Sequence, residues 1–155
     1  MIVEKSGVFT AKTSYDATYD YLSDLAAVVE CLPDEVHSVE PRDDDGLNLV
    51  ADVGPGAYRT QVKFRIAVEE TDADGRTLTY TGHGLAPRSK VDLHGQFVLS
   101  EVDDGTEVQW SGQADVGGVI ASLNADITRT TAHEKIARTI EKIESTLNDH
   151  QRADA

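Results

Sequence analysis

Thr106-Glu107-Val108-Gln109-Trp110-Ser111-Gly112-Gln113-Ala114-Asp115-Val116, then Gly117-Gly118, then the run from Val119 to Asn148, is the stretch that decides the fold. Its first part alternates. Val108, Trp110, Gly112, Ala114 and Val116 fall on one side, and Glu107, Gln109, Ser111, Gln113 and Asp115 on the other, the period of a strand with one wet face. The glycine pair predicts a break in that strand, and beyond it Ile136, Ile140, Ile143 and Leu147 recur at helical spacing. A long helix with such a stripe needs an apolar surface to lie on, and the inner faces of the preceding strands are the only large one the chain offers.

Working outward, Ile2 to Ala11 reads as a first strand, its alternation interrupted by Glu4, Lys5 and Ser6. Thr13 or Ser14 can cap a short helix running to Tyr21 or Leu22, and a second, Asp24 to Cys31, stops before Pro33. Further strands follow at Val36–Glu40, Leu47–Val53, Tyr58–Thr71, Arg76–Gly84 and Pro87 or Arg88 to Glu101, separated by Gly-, Pro- and Asp-rich turns. Short turns between successive strands give an antiparallel meander. With the terminal helix laid on one face, the class is α+β, a curved sheet of about seven strands wrapped on a long C-terminal helix, with two short helices after the first strand. Residues 1–150 read as a single domain and 151–155 as a short polar tail. Strands so strongly curved around one helix leave a cavity as their natural outcome.

The formal net charge is −14 with a pI near 4.5, which excludes nucleic acid and anionic headgroups as main partners, since both need a basic patch. Acidity spread over the whole chain also fits adaptation to high salt, where screening shortens self-repulsion to about 3 Å at 1 M. Cys31 is the only cysteine and sits in an apolar segment, so it reads as a buried structural thiol in a reducing compartment. No signal peptide precedes the first strand, and no apolar run approaches membrane-spanning length. These features predict a cytoplasmic protein.

Three segments carry a family resemblance. They are Asp52-Val53-Gly54-Pro55-Gly56 leading into a basic-faced strand, Tyr80-Thr81-Gly82-His83-Gly84 leading into an alternating strand, and Gly105-Thr106 through Trp110 continuing to Ala114-Asp115-Val116-Gly117-Gly118 with Ile120-Ala121 and Leu123. The chain resembles the SRPBCC or START-like superfamily, and within it the CoxG family of carbon monoxide dehydrogenase subunits. The resemblance implies the helix-grip, START/Bet v 1-like fold and a cavity for a hydrophobic lipid or quinone-like molecule. It also implies a role in assembling, or coupling to a membrane by peripheral contact, a molybdenum hydroxylase or similar redox enzyme complex. The polar end, His150 to Ala155, departs from members that carry a hydrophobic or basic tail.

Catalytic groups are scarce. His83 and His94 fall on strand faces opposite Tyr80, Gly82, Leu93 and Phe97, and His37, His133 and His150 sit in a short strand, on a polar helix face and in the tail. No HxxxH or CxxC exists, so no metal site or required cofactor is predicted. The inward set holds Tyr58, Tyr80, Thr60 and Trp110, none an evident base, and a polyketide cyclase/dehydrase-type enzyme is the alternative function. Gly54-Pro55-Gly56 lacks the Lys-Ser/Thr and the following helix of a phosphate loop, and reads as a turn. Arg59, Lys63 and Arg65, with Lys90 across the sheet, form a basic face, either paired with Asp92 and Glu69 or open to an acidic partner.

The predicted cavity lining is Tyr58, Val62, Phe64, Tyr80, Leu93, Phe97, Trp110, Ala121 and Ala125. Within the terminal helix the apolar pattern changes phase. Ile120, Leu123 and Ile127 form one stripe and Ile136, Ile140, Ile143 and Leu147 another, on opposite faces at about 100° per residue. Either the helix breaks near Thr128-Arg129-Thr130-Thr131, or it is continuous and Ile120, Leu123 and Ile127 present a lid or partner surface.

Overall fold

The computed structural model describes residues 1–32, 36–41, 46–53, 60–70, 76–118 and 125–154. The elements run β1 (Ile2–Ala11), α1 (Tyr15–Ser23), α2 (Leu25–Val29), β2 (Val36–Pro41), β3 (Leu47–Val53), β4 (Thr60–Glu70), β5 (Thr77–Ala86), β6 (Ser89–Val102), β7 (Gly105–Gly118) and α3 (Ala125–Asp154). The strands form one antiparallel sheet of seven in the order β1-β7-β6-β5-β4-β3-β2. Only β1 leaves sequential order. Helices α1 and α2 carry the chain from one edge of the sheet to the other, where the meander begins.

Local chemistry sets these boundaries. The Ser14 side chain accepts a hydrogen bond from the backbone of Ala17 at 3.1 Å, and Asp24 caps α2 by accepting from Ala27 at 3.4 Å. The Glu4-Lys5-Ser6 interruption does not break β1, whose pairing with β7 is continuous from Ile2 to Ala11. Nor does the glycine pair end β7 at Val116, because the strand runs through Gly118. Gly118 holds φ at +82°, and a Cβ there would stand 2.0 Å from the Arg88 carbonyl oxygen, so only glycine fits.

Helix α3 is continuous through Thr128–Thr131, where a break was one of two expectations, and it extends through Asp154, past both Asn148 and the start of the expected polar tail. Its late stripe does meet the sheet. Ile143 and Leu147 are fully enclosed with Phe9, Ala11, Leu78, Phe97, Leu99 and Val108, together with Leu22 of α1, Val28 of α2 and Cys31. A second buried cluster lies toward the other edge. Leu25 and Val29 of α2 cover Leu47, Leu49, Ala51, Val62 and Phe64, joined by Val91, Ala114 and Val116.

Two hydrogen bonds fix α3 along the free edge of β1. His133 Nε2 lies 3.1 Å from the Glu4 carbonyl oxygen, and the Lys12 backbone amide donates to Asn148 Oδ1 at 3.0 Å. Met1 and Val116 exchange both of their backbone hydrogen bonds, so odd-numbered residues of β1 face β7 and even-numbered ones carry their amides and carbonyls to the free edge. The helix between the two anchors is about 22 Å long at 1.5 Å per residue, and the strand segment about 27 Å. The helix therefore covers an edge that would otherwise template pairing with another chain.

Candidate functional site

Between the two buried clusters the inner face of the sheet is only partly covered. The register aligns Val68, Tyr80, Gly95, Gly112 and Lys5 in one row crossing β4, β5, β6, β7 and β1. Two glycines at the centre of such a row lower its floor. A Cβ on Gly95 would meet the Ser111 carbonyl oxygen at 3.7 Å and Tyr80 Cβ at 3.8 Å, ordinary van der Waals contact, so a methyl fits there without displacing a neighbour. Over Gly112 the nearest atom is Ile136 Cγ2 of α3, at 3.5 Å from the same ideal position. Beside the row, Leu93 points inward yet remains 38% exposed, and Trp110 is half-buried over Gly7. The result is a shallow apolar trough at Gly95, flanked by Leu93, Tyr80 and Trp110 and closed on the Gly112 side by Ile136.

Tyr80 is positioned by a second duty. Its hydroxyl donates to the Leu22 carbonyl oxygen at the C-terminal end of α1. The neighbouring orphan carbonyls are met locally, Asp20 by Ser23 Oγ at 3.2 Å and Tyr21 by the Asp24 amide at 3.2 Å. Tyr80 thus finishes the cap of α1 from across the core, and its ring meets Phe97 edge-on at a centroid distance of 5.3 Å. Burial, with a smaller contribution from Tyr21, holds its phenol well above the ordinary tyrosine range. A neutral phenol committed to a main-chain carbonyl serves as a structural donor and is a poor base.

Tyr21 is held protonated as well, first by burial and then by its contact with Cys31, whose Sγ lies 3.1 Å from the hydroxyl. Cys31 itself is enclosed, with Thr146 Oγ1 of α3 at 4.0 Å, in keeping with a structural thiol.

The predicted lining residues divide into three groups. Tyr80, Leu93 and Trp110 come together at the trough. Val62, Phe64 and Phe97 face inward but are filled in by the two clusters, leaving no free surface for a ligand. Tyr58, Ile120, Ala121 and Leu123 lie outside the described residues, and Ala125 and Ile127 fall in the first turn of α3 with side chains outside that description. The pattern alone did not single out Gly95, Gly112 and Ile136. The sequence signal was present in the alternation of β6 and β7, which places both glycines inward, but their adjacency follows only from the register.

The described histidine side chains stay out of the trough. His83 and His94 are on the outer face, and His133 is engaged with Glu4. His37 and His150 have side chains outside the description. His83 Nδ1 lies 2.9 Å from Asp92 Oδ1, a cross-strand pair that linear spacing hides. That pair corrects one expectation for the basic face, because Asp92 answers His83 and not Lys63, Arg65 or Lys90. Lys63 and Lys90 instead flank Leu85, which is 70% exposed. Two open depressions of about 500 and 470 Å³ lie at Glu4, Lys5, Ser6, His94, Ser111, Gly112 and Gln113, and at Tyr15, Arg76, Ser100 and Glu101. Mostly polar side chains line both, which suits neither to an apolar ligand. Among the described residues no three His, Cys, Asp or Glu side chains gather as a metal site, and no helix is long and apolar enough to cross a membrane.

Comparison with known proteins agrees with this architecture. The CoxG family of carbon monoxide dehydrogenase subunits matches residues 7–148. No curated protein matches the chain. Among solved structures, a conserved protein from Geobacillus kaustophilus superposes with a TM-score of 0.76 at 18% identity, covering 95% of this chain and 96% of that one. The Zhui aromatase/cyclase from Streptomyces sp. R1128 gives 0.66 at 16% identity over 100% and 97% of the two chains. A START superfamily protein from Mycobacterium smegmatis gives 0.62 at 14% identity over 96% and 97%. At these identities the likeness establishes the START-like, helix-grip fold alone.

Proposed function

The chain belongs to the CoxG family of carbon monoxide dehydrogenase subunits, and from that membership we propose that it holds a hydrophobic small molecule between its curved sheet and α3. The observation that carries this reading is the trough. An inward-facing Leu93 left 38% exposed, in the strand that carries the side-chain-free Gly95, is apolar surface that the protein's own side chains do not cover. Burying about 400 Å² of apolar ligand there would give on the order of 10 kcal/mol before association costs. Micromolar binding, about −8 kcal/mol, then needs only a modest polar anchor.

A lipid or quinone-like cargo suits a trough of this kind, and family membership supports a role beside a molybdenum-containing redox enzyme, in its assembly or in coupling it to a membrane. A cyclase-type reaction on the bound molecule is the second reading, supported by the fold shared with the aromatase/cyclase. Against it stands the chemistry of the described inner face, where Tyr80 is committed to Leu22 and no histidine points inward. Native mass spectrometry after incubation with a lipid extract tests the proposal. Retention of an apolar ligand, released by organic solvent, is the expected result, and a protein that stays unliganded through extracts containing quinones contradicts it.

A further inference from the structure

The outer face of the sheet carries a cationic patch that the trough does not explain. Val62 and Phe64 of β4 and Val91 of β6 are buried inward, which turns Lys63, Arg65 and Lys90 out to solvent. The register sets Lys63, Leu85 and Lys90 in one row across β4, β5 and β6, with Arg65 two residues along β4. The two lysine positions stand two strand spacings apart, about 10 Å, and Leu85 lies midway. Leu85 is 70% exposed, the most open large apolar side chain among the described residues. Lys90 does not fold over it. A Cβ on Gly117 would meet Lys90 Cγ and Cε at 3.3 Å, so the lysine stem runs the other way, toward β7.

Neighbouring carboxylates do not neutralise the patch. Asp92 answers His83, Asp115 answers the Met1 amine, and Asp52 at the margin on β3 is engaged as well. Lys63, Arg65 and Lys90 form no ion pair among the described residues. Strands β4, β5 and β6 are interior to the sheet, so these cations do not serve to guard an open edge. Cations grouped around an exposed leucine are the reverse of the chain as a whole, whose formal charge is −14. Complementarity therefore calls for an anionic partner with an apolar contact at its centre. A membrane plane would extend past the patch and set its headgroup charge against the acidic remainder of the chain, whereas a polypeptide segment touches the patch alone.

We infer that this patch docks an acidic segment of a partner protein, an apolar residue of the segment seated on Leu85 and carboxylates on either side meeting Lys63 and Lys90. A helix suits the row, because its side chains at i, i+4 and i+7 advance about 10 Å, close to the separation of the two lysine positions. The probe is an alanine-based helical peptide with Glu, Leu and Glu at those positions, and its control carries glutamine in place of both glutamates. Fluorescence anisotropy follows their binding to the wild-type protein, to Lys63→Glu/Lys90→Glu, to the milder Lys63→Gln/Lys90→Gln and to Leu85→Ser. All three sites are exposed, and thermal unfolding checks that each variant folds. The wild type should prefer the glutamate peptide, with an affinity that falls as salt rises. Charge reversal should weaken that peptide about tenfold at 0.15 M salt, and Leu85→Ser about threefold. Absence of binding by the wild type, no preference for glutamate over glutamine, or equal binding by the charge variants overturns the inference. Pelleting with phosphatidylglycerol vesicles that depends on Lys63 and Lys90 would give the patch to a membrane and overturns it as well.

Discussion

Gly95→Leu is the sharpest perturbation of the trough. Gly95 accepts a Cβ with no contact under 3.7 Å, so the new side chain starts without a clash and its outer carbons extend over the row beside the exposed Leu93. It adds four carbons where the ligand would lie. At about 0.8 kcal/mol per buried methylene the ligand loses about 3 kcal/mol, roughly a hundredfold in affinity. Gly95→Ala isolates the backbone effect. An alanine that fits without strain should stabilise the unliganded protein by about 0.5 kcal/mol, or about 1–2 °C in melting temperature. Gly84 supplies the contrast, because a Cβ there would lie 2.5 Å from the Phe64 ring. Gly84→Ala should cost about 1–3 kcal/mol through overpacking and lower the melting temperature by about 3–10 °C. Thermal unfolding of the three variants, with titration of an apolar ligand into those that fold, gives both readouts. If Gly95→Leu binds as the wild type does, or if Gly95→Ala destabilises as much as Gly84→Ala, the trough is not where the geometry puts it.

Tyr80→Phe removes the donor to the Leu22 carbonyl and should cost about 1–2 kcal/mol in denaturant unfolding while apolar binding persists. Both Tyr80 and Tyr21 have pKa values raised by burial, so their contribution is complete below about pH 10 and declines as pH rises above it toward the folded-state values. Tyr80→Phe should accordingly flatten the alkaline loss of stability, and an unchanged alkaline profile would count against the burial of that phenol. Asn148→Ala frees the Lys12 amide at the β1 edge and should lower stability by about 1 kcal/mol, with faster hydrogen exchange at Lys12 as the local signature.

Much of the fold was legible because strands with one wet face write their period into the chain. β1 and β3 occur at their expected bounds, and the caps at Ser14 and Asp24 are properties of residues adjacent in sequence. The site was less legible because it is built from relations between strands. Gly95 and Gly112 are ordinary inward positions until the β6–β7 register sets them side by side. The tie from Tyr80 to Leu22 and the pair of His83 with Asp92 likewise arise from tertiary placement. Local reasoning also ended β7 at Val116, two residues early. Gly118, the last residue of the strand, serves the close approach of the Arg88 carbonyl.

The central claim, that an apolar molecule lies between the sheet and α3, is tested most directly by a crystal structure of the protein loaded with the ligand it retains. The account predicts ligand density above Gly95, in contact with Leu93, Trp110 and Ile136. Density confined to the outer face of the sheet, with the inner face closed over Gly95, would contradict it.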